Sequence, residues 1–213
     1  MTQSAPTSYA HAWQAQSLLL GYPDDTLFAH LRLLDRVATA LPSPVGAPLI
    51  AFLDHLHGTD LSALAAHYVA TFDHRKRGCL YLTYYTHGDT RKRGLALLRL
   101  KQVYAAAGLT LTDDELPDHL PVMLEFAAAH PEAGQALLLD YRAGLELLRL
   151  DLTDTSSPWR LVLDSISATL PPLSGEQRQA AARLAAEGPP DEQVGLEPFA
   201  PPQYMPEPVG GRR

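Results

Sequence analysis

The sequence predicts an all-α fold, a single domain of about nine or ten helices followed by a proline-rich tail. Three observations carry that expectation. Apolar residues recur at spacings of three and four in one segment after another. No two segments show the period-2 alternation that paired strands require. From Leu49 to Leu116 there is no proline, which leaves room for long helices. With 213 residues, 46% of them hydrophobic, the chain can bury about two thirds of its unfolded surface. Seven of the 18 prolines fall in the last 26 residues among few large apolar groups, so residues 1–187 are expected to form the domain and 188–213 a disordered tail.

Taken in order, Ser8 can cap a helix carrying Trp13 and Leu20 that the Gly21-Tyr22-Pro23 turn ends. Asp24 or Asp25 starts a second, with Leu27, Leu31 and Leu34 on one stripe, until Pro42-Ser43-Pro44 stops it. A short helix from Pro48 to His57 follows. Asp60 then caps a helix whose apolar face is Leu61, Leu64, Ala65, Tyr68 and Phe72. The run Leu80–Tyr85 favours β by propensity but has no visible strand partner, so a helix is expected there too. From about Thr90 a helix places Ala96, Leu97, Leu100, Val103 and Tyr104 inward, and Gly108 ends it. Asp118 is expected to cap the next helix, with Pro121 in its first turn and Leu124 facing inward. Pro131 opens what reads as the longest helix, through Leu138, Tyr141, Leu145, Leu148 and Leu152. Pro158 begins another through Leu170, and Ser174 caps a last one to Glu187.

Charge is concentrated in two blocks. Between Asp73 and Lys101 eight cations stand against two acids, a local +6 in a chain of net charge −7. Downstream, Asp113, Asp114, Glu115 and Asp118 put four acids into six positions. On the 100° projection Arg93 lies in line with the apolar stripe of its helix, so Arg93 and the nearby Asp89 are expected to be a structural pair. A nucleic-acid contact through residues 75–93 is the alternative, with Tyr81, Tyr84 and Tyr85 as stacking surfaces; the acidic body argues against it.

Catalytic signatures are missing. No phosphate-binding glycine loop occurs, and His55, His57 and His67 do not form a zinc pattern. Cys79, the single cysteine, excludes an intrachain disulfide and fits a small buried residue better than a nucleophile. Asp118 and His119 are adjacent, and neighbours on a helix do not face one another as a catalytic pair would. The N-terminus shows no export signal, and no stretch is long and apolar enough to span a bilayer, so a cytoplasmic protein is expected. What remains is a binding module. The acidic block beside apolar helix faces suits a basic amphipathic peptide.

The blocks YVATFD (Tyr68–Asp73), LYLTYYTHGDTRKRG (Leu80–Gly94), ALLRLKQVY (Ala96–Tyr104) and ELPDHLPVMLEFAA (Glu115–Ala128) resemble those of the nitrate reductase molybdenum cofactor assembly chaperones. This family, also called the nitrate reductase delta subunit, lies within the TorD-like redox-enzyme maturation chaperones. The likeness runs from about His11 to Leu152. It implies a non-catalytic, cytoplasmic, all-helical chaperone that binds the N-terminal segment of the apo catalytic subunit of respiratory nitrate reductase. The client, not the chaperone, would receive the molybdenum cofactor, and proteins of cofactor biosynthesis are further candidate partners. An E-x-x-D-H motif borders the peptide-binding region of the wider group and corresponds here to Glu115, Asp118 and His119. Together with the apolar Tyr84 and Leu124, these are the expected edges and floor of a client groove.

Overall fold

Helix α1 (Tyr9–Leu20) runs through the middle of the molecule, and the computed structural model describes residues 9–112 and 115–188 around it. The remaining helices are α2 (Asp25–Ala40), α3 (Ser43–His57), α4 (Leu61–Phe72), α5 (Leu82–His87), α6 (Arg91–Ala106), α7 (Leu120–Ala129), α8 (Pro131–Asp140), α9 (Arg142–Asp154), α10 (Arg160–Thr169) and α11 (Gly175–Glu187). A 3₁₀ turn spans Lys76–Gly78. Among the described residues there are thus eleven α-helices and no strand, and no helix is long and apolar enough to cross a membrane. The readings that fall on Ser8, Asp113, Asp114 and the tail beyond Gly188 lie outside the described residues.

Local signals set most helix ends. Asp24 accepts the Leu27 N–H at 2.8 Å, Asp60 accepts that of Ser62 at 3.1 Å, and Ser174 with Gln177 forms a reciprocal capping box. At the end of α6, Gly108 takes φ 81°, its N–H bonds Ala105 O, and the Leu109 N–H bonds Tyr104 O. That is a Schellman turn, and only glycine enters its left-handed position without strain.

Three expectations need correction. Helix α3 begins five residues before Pro48, because Pro42 stands at its N-cap and Pro44 in its first turn, where a missing N–H costs nothing. The expected long helix from Pro131 breaks at Tyr141, giving α8 and α9. The break lets the chain leave α7, on which α8 packs, and turn α9 towards α5 and α10. Gly144 permits that approach: a Cβ there would lie 3.3 Å from the Tyr85 ring and 3.4 Å from Leu82 O. Finally, Leu80–Tyr85 is helical only from Leu82. Tyr81 forms an isolated antiparallel bridge with His119, so the missing strand partner was the segment before α7.

The core lies between α1, α3, α7 and α10. Helix α7 is apolar nearly all round and is buried accordingly, from Leu120 through Leu124 and again at Phe126 and Ala127. Trp159, 1% exposed, stands among Phe52, His67, Tyr68 and Phe72, and its indole N–H bonds Leu19 O at 3.2 Å. Two further long-range bonds tie α1 to α10, Trp13 to Thr169 at 2.9 Å and Gln16 to Ser165 at 2.8 Å. Between α9 and α10 a partly buried charge network joins Arg142 to Glu146 (3.0 Å), Glu146 to Arg149 (2.8 Å) and Arg149 to Asp164 (3.1 Å).

Candidate functional site

The segment between α6 and α7 meets the start of α5 in a small clasp. Leu82 N–H donates to Asp118 O at 3.0 Å and Leu120 N–H to Leu80 O at 2.9 Å. The Asp118 side chain is fully buried, and its Oδ2 accepts both the Thr83 hydroxyl and the Thr83 N–H. The aspartate therefore caps a helix, but it caps α5 rather than its own; the N-cap of α7 is His119, without a side-chain bond. A caged carboxylate cannot edge a groove, so Asp118 leaves the expected client contacts. Leu124 leaves them too, since it is 0% exposed in the middle of α7 and floors no open surface.

Arg93 completes the clasp. Its Nε bonds Thr83 Oγ1 at 3.3 Å, one terminal nitrogen meets Asp89 at 3.0 Å, and the other lies 3.7 Å from Asp118. The guanidinium also sits 5.9 Å and 6.0 Å from the ring centres of Tyr81 and Tyr84. Asp89 is 70% exposed, so Arg93 spans from a buried acid to a solvated one.

Glu115 and His119 do come together, in a cleft of about 320 Å³ between the end of α1, the start of α2 and the start of α7. Among the described residues Asp24, Glu115 and Glu125 give its lining three carboxylates, with His30 and His119 but no lysine or arginine. Leu18, Tyr22, Leu27 and Val122 supply apolar surface, and Tyr22 is 55% exposed against the edge of Tyr68. Ser17 holds the wall in place, its hydroxyl donating to Pro121 O at 2.9 Å with Glu125 Oε1 3.2 Å away. Burial pushes the His119 imidazole below its usual range, outweighing the upward pull of Asp118.

Tyr84 faces a different cleft. That one, about 520 Å³, is lined by Phe72, Tyr81, Tyr84, Cys79 and Arg93 among others. His119 lines the first cleft and Tyr81 the second, and their rings pack 5.1 Å apart, so this pair is the partition between them. Burial raises the Cys79 thiol and outweighs the Arg93 guanidinium, which agrees with a small buried residue and not with an activated nucleophile. Among the described residues no cluster of three or more His, Cys, Asp or Glu could hold a metal ion.

The family model described as the nitrate reductase delta subunit matches residues 38–163, more than half of the chain. The chain belongs to this family. Relatives agree with the assignment. NarJ of Bacillus subtilis is 35% identical over 163 residues, covering 74% of this chain and 87% of that protein. The nitrate reductase molybdenum cofactor assembly chaperone NarJ of Escherichia coli K12 is 34% identical over 152 residues, 70% of this chain and 64% of its own. The nitrate reductase-like protein NarX of Mycobacterium tuberculosis is 37% identical over 158 residues, and the match spans only 24% of that longer protein. A solved redox enzyme maturation protein from Archaeoglobus fulgidus shares the all-α fold, with TM-score 0.54 and 22% identity over 86% of this chain and 96% of that one.

In this delta-subunit chain part of the acidic cleft comes from residues whose local sequence role is a different one. Locally Asp24 reads as a cap and Gly21-Tyr22-Pro23 as a helix stop, yet Asp24 and Tyr22 line it. Two signals were available. Tyr22 is a large aromatic in a turn with no apolar periodicity around it, and Glu125 is the single charge in the otherwise apolar α7.

Proposed function

We propose that this delta-subunit protein is an assembly chaperone that holds a basic amphipathic segment, the N-terminus of the nitrate reductase catalytic subunit, in the cleft between α1, α2 and α7. The observation that carries this is the lining, which among the described residues has three carboxylates and no lysine or arginine, with exposed Tyr22 and Leu18 beside them. Such a surface suits a helix with cations along one side and apolar residues on the other. Carboxylates at the rim speed the encounter, and the apolar contacts set its lifetime. The chaperone turns over nothing itself. In the cytoplasm it keeps the client open for the molybdenum cofactor, which is the client's cargo, until membrane docking. Names of the Escherichia coli relative and of the matching family support that role.

Calorimetry of the full chain against a synthetic peptide of the client's N-terminus tests the site. Each rim charge pair is worth about 0.2–1 kcal/mol, so Glu115→Gln with Glu125→Gln should weaken binding about 2- to 30-fold and flatten its salt dependence. Tyr22→Ser should raise the dissociation rate. Residues 1–187 are proposed to carry the binding, so deleting 189–213 should leave affinity unchanged. Wild-type affinity in the Glu115→Gln, Glu125→Gln and Tyr22→Ser variants together would place the client elsewhere.

A further inference from the structure

Helix α6 is anchored on one side only. Ala96, Leu100 and Tyr104 are buried, and the Tyr104 ring packs 4.6 Å from Phe126. At 100° per residue Leu95 lies directly opposite Tyr104, at the pole furthest from the core, with Leu98 beside it one turn on. A solvated helix carries polar residues at that pole. Here Leu95 is 60% and Leu98 53% exposed, the two most exposed leucines among the described residues.

The charges around them have one sign. Between Arg91 and Ala106 the helix has five cations and no acid, in a chain whose net charge is −7. Arg93 turns inward to the clasp, whereas Lys92, Arg99 and Lys101 are exposed. On the projection Lys92 and Arg99 flank the leucines on one side and Lys101 lies on the other. A convex ridge of leucine between cations matches a surface that is anionic outside and apolar just beneath. Lipid headgroups and the first methylenes of their chains supply both at once, and long Lys and Arg stems let the charge remain in the headgroup layer while the leucines enter below it.

We propose that α6 is a docking face for an anionic lipid surface, lying in the plane of the interface with Leu95 and Leu98 inserted. Outside residues 73–101, whose +6 stands within a net −7, the chain carries −13 and is repelled by the same surface, and within that segment the exposed leucines among the described residues, Leu95 and Leu98, are both on α6. Two leucines and three cations make a reversible attachment, not an anchor. No residue of the acidic cleft takes part, so the proposal stands apart from client binding.

Flotation of the full chain with vesicles tests it. Vesicles containing phosphatidylglycerol in phosphatidylcholine should carry the protein at low salt, and vesicles of phosphatidylcholine alone should not. Leu95→Ser with Leu98→Ser, and separately Lys92→Glu with Arg99→Glu, should each lower the bound fraction at least tenfold with unchanged circular dichroism, the replaced side chains being exposed. Leu33→Ser with Leu150→Ser, at leucines 47% and 43% exposed elsewhere, should float as wild type does. Equal flotation of wild type with both vesicle types, or wild-type flotation by the α6 variants, overturns the proposal. So does self-association that the α6 variants abolish while no vesicle is bound, which would assign the face to a second copy of the chain.

Discussion

Replacing Asp118 with alanine probes the clasp between α5 and α7. The carboxylate is fully buried and receives the Thr83 N–H, the Thr83 hydroxyl and the approach of Arg93 at 3.7 Å. Its removal leaves a first-turn N–H of α5 without its acceptor, which costs about 1–3 kcal/mol in a buried setting. It also takes the inner acid from Arg93. That loss is moderated because the guanidinium keeps Asp89 at 3.0 Å and is itself 20% exposed. The sum falls within the range of about 3–5 kcal/mol for breaking a buried charge pair by deleting one partner. For a chain of this size 1 kcal/mol moves the midpoint by about 2–4 °C, so Tm should fall by about 6–20 °C. Differential scanning calorimetry at pH 7.5 measures it, with Glu115→Gln as an exposed acid expected to melt within about 0.5 kcal/mol of wild type. A Tm for Asp118→Ala within 2 °C of wild type, by the same scale about 1 kcal/mol or less, would refute the reasoning and release Asp118 for some other role.

Arg93→Ala should lower Tm well beyond Lys92→Ala, because only Arg93 faces Thr83 and Asp118; equal melting of the two would deny Arg93 a place in the clasp. Gly134→Ala should cost about 1–3 kcal/mol, since its Cβ would fall 2.2 Å from Ala127 Cα and force α8 off α7. Gly94→Ala, with nothing within 4 Å, should instead stabilise α6 by about 0.5–1 kcal/mol, and chemical denaturation of both separates close packing from backbone freedom. His55, His87 and His119 are each held below the ordinary imidazole value, burial being the largest cause in all three. On acidification the unfolded chain therefore takes up protons first. Their contribution is whole above about pH 6.5 and declines below it, so Tm should drop between pH 7.5 and 5.5, with a shallower slope in His119→Gln.

What could be read from the sequence was what is decided locally. Asp24, Asp60 and Ser174 cap their helices because the N–H groups they satisfy lie two or three residues away. Asp118 has the same residue type in the same setting, before a proline-started apolar run, and its carboxylate went to Thr83, 35 positions back. Nothing in the spacing distinguishes the two outcomes; the bridge between Tyr81 and His119 does, and that pairing is tertiary. Leu124 was legible in half. Its inward direction is right, but inward on α7 means sealed in the core, and the part of α7 that lines the cleft carries Val122 and Glu125 instead. The clefts are less legible still. Glu115 and His119 meet Asp24 and Tyr22 only because α1 and α2 fold back against α7, whereas Tyr84 falls beyond the Tyr81 and His119 rings.

The bonds from Trp13 to Thr169 and from Gln16 to Ser165 have a temporal meaning. They join positions 156 and 149 residues apart, and Trp159 reaches back to Leu19 across 140. During synthesis α1 leaves the ribosome before α10 and must wait for it, 149 to 156 residues later, before the Trp13 indole and the Gln16 amide find their acceptors. At about 5–20 residues per second that interval lasts roughly 7–30 s. Through it the apolar face of α1 has α2, α3 and then α7 for company, but the core closes late, by contacts of long sequence separation that are intrinsically slow to form. A protein proposed to shelter another chain's unfinished N-terminus must first keep its own α1 in waiting.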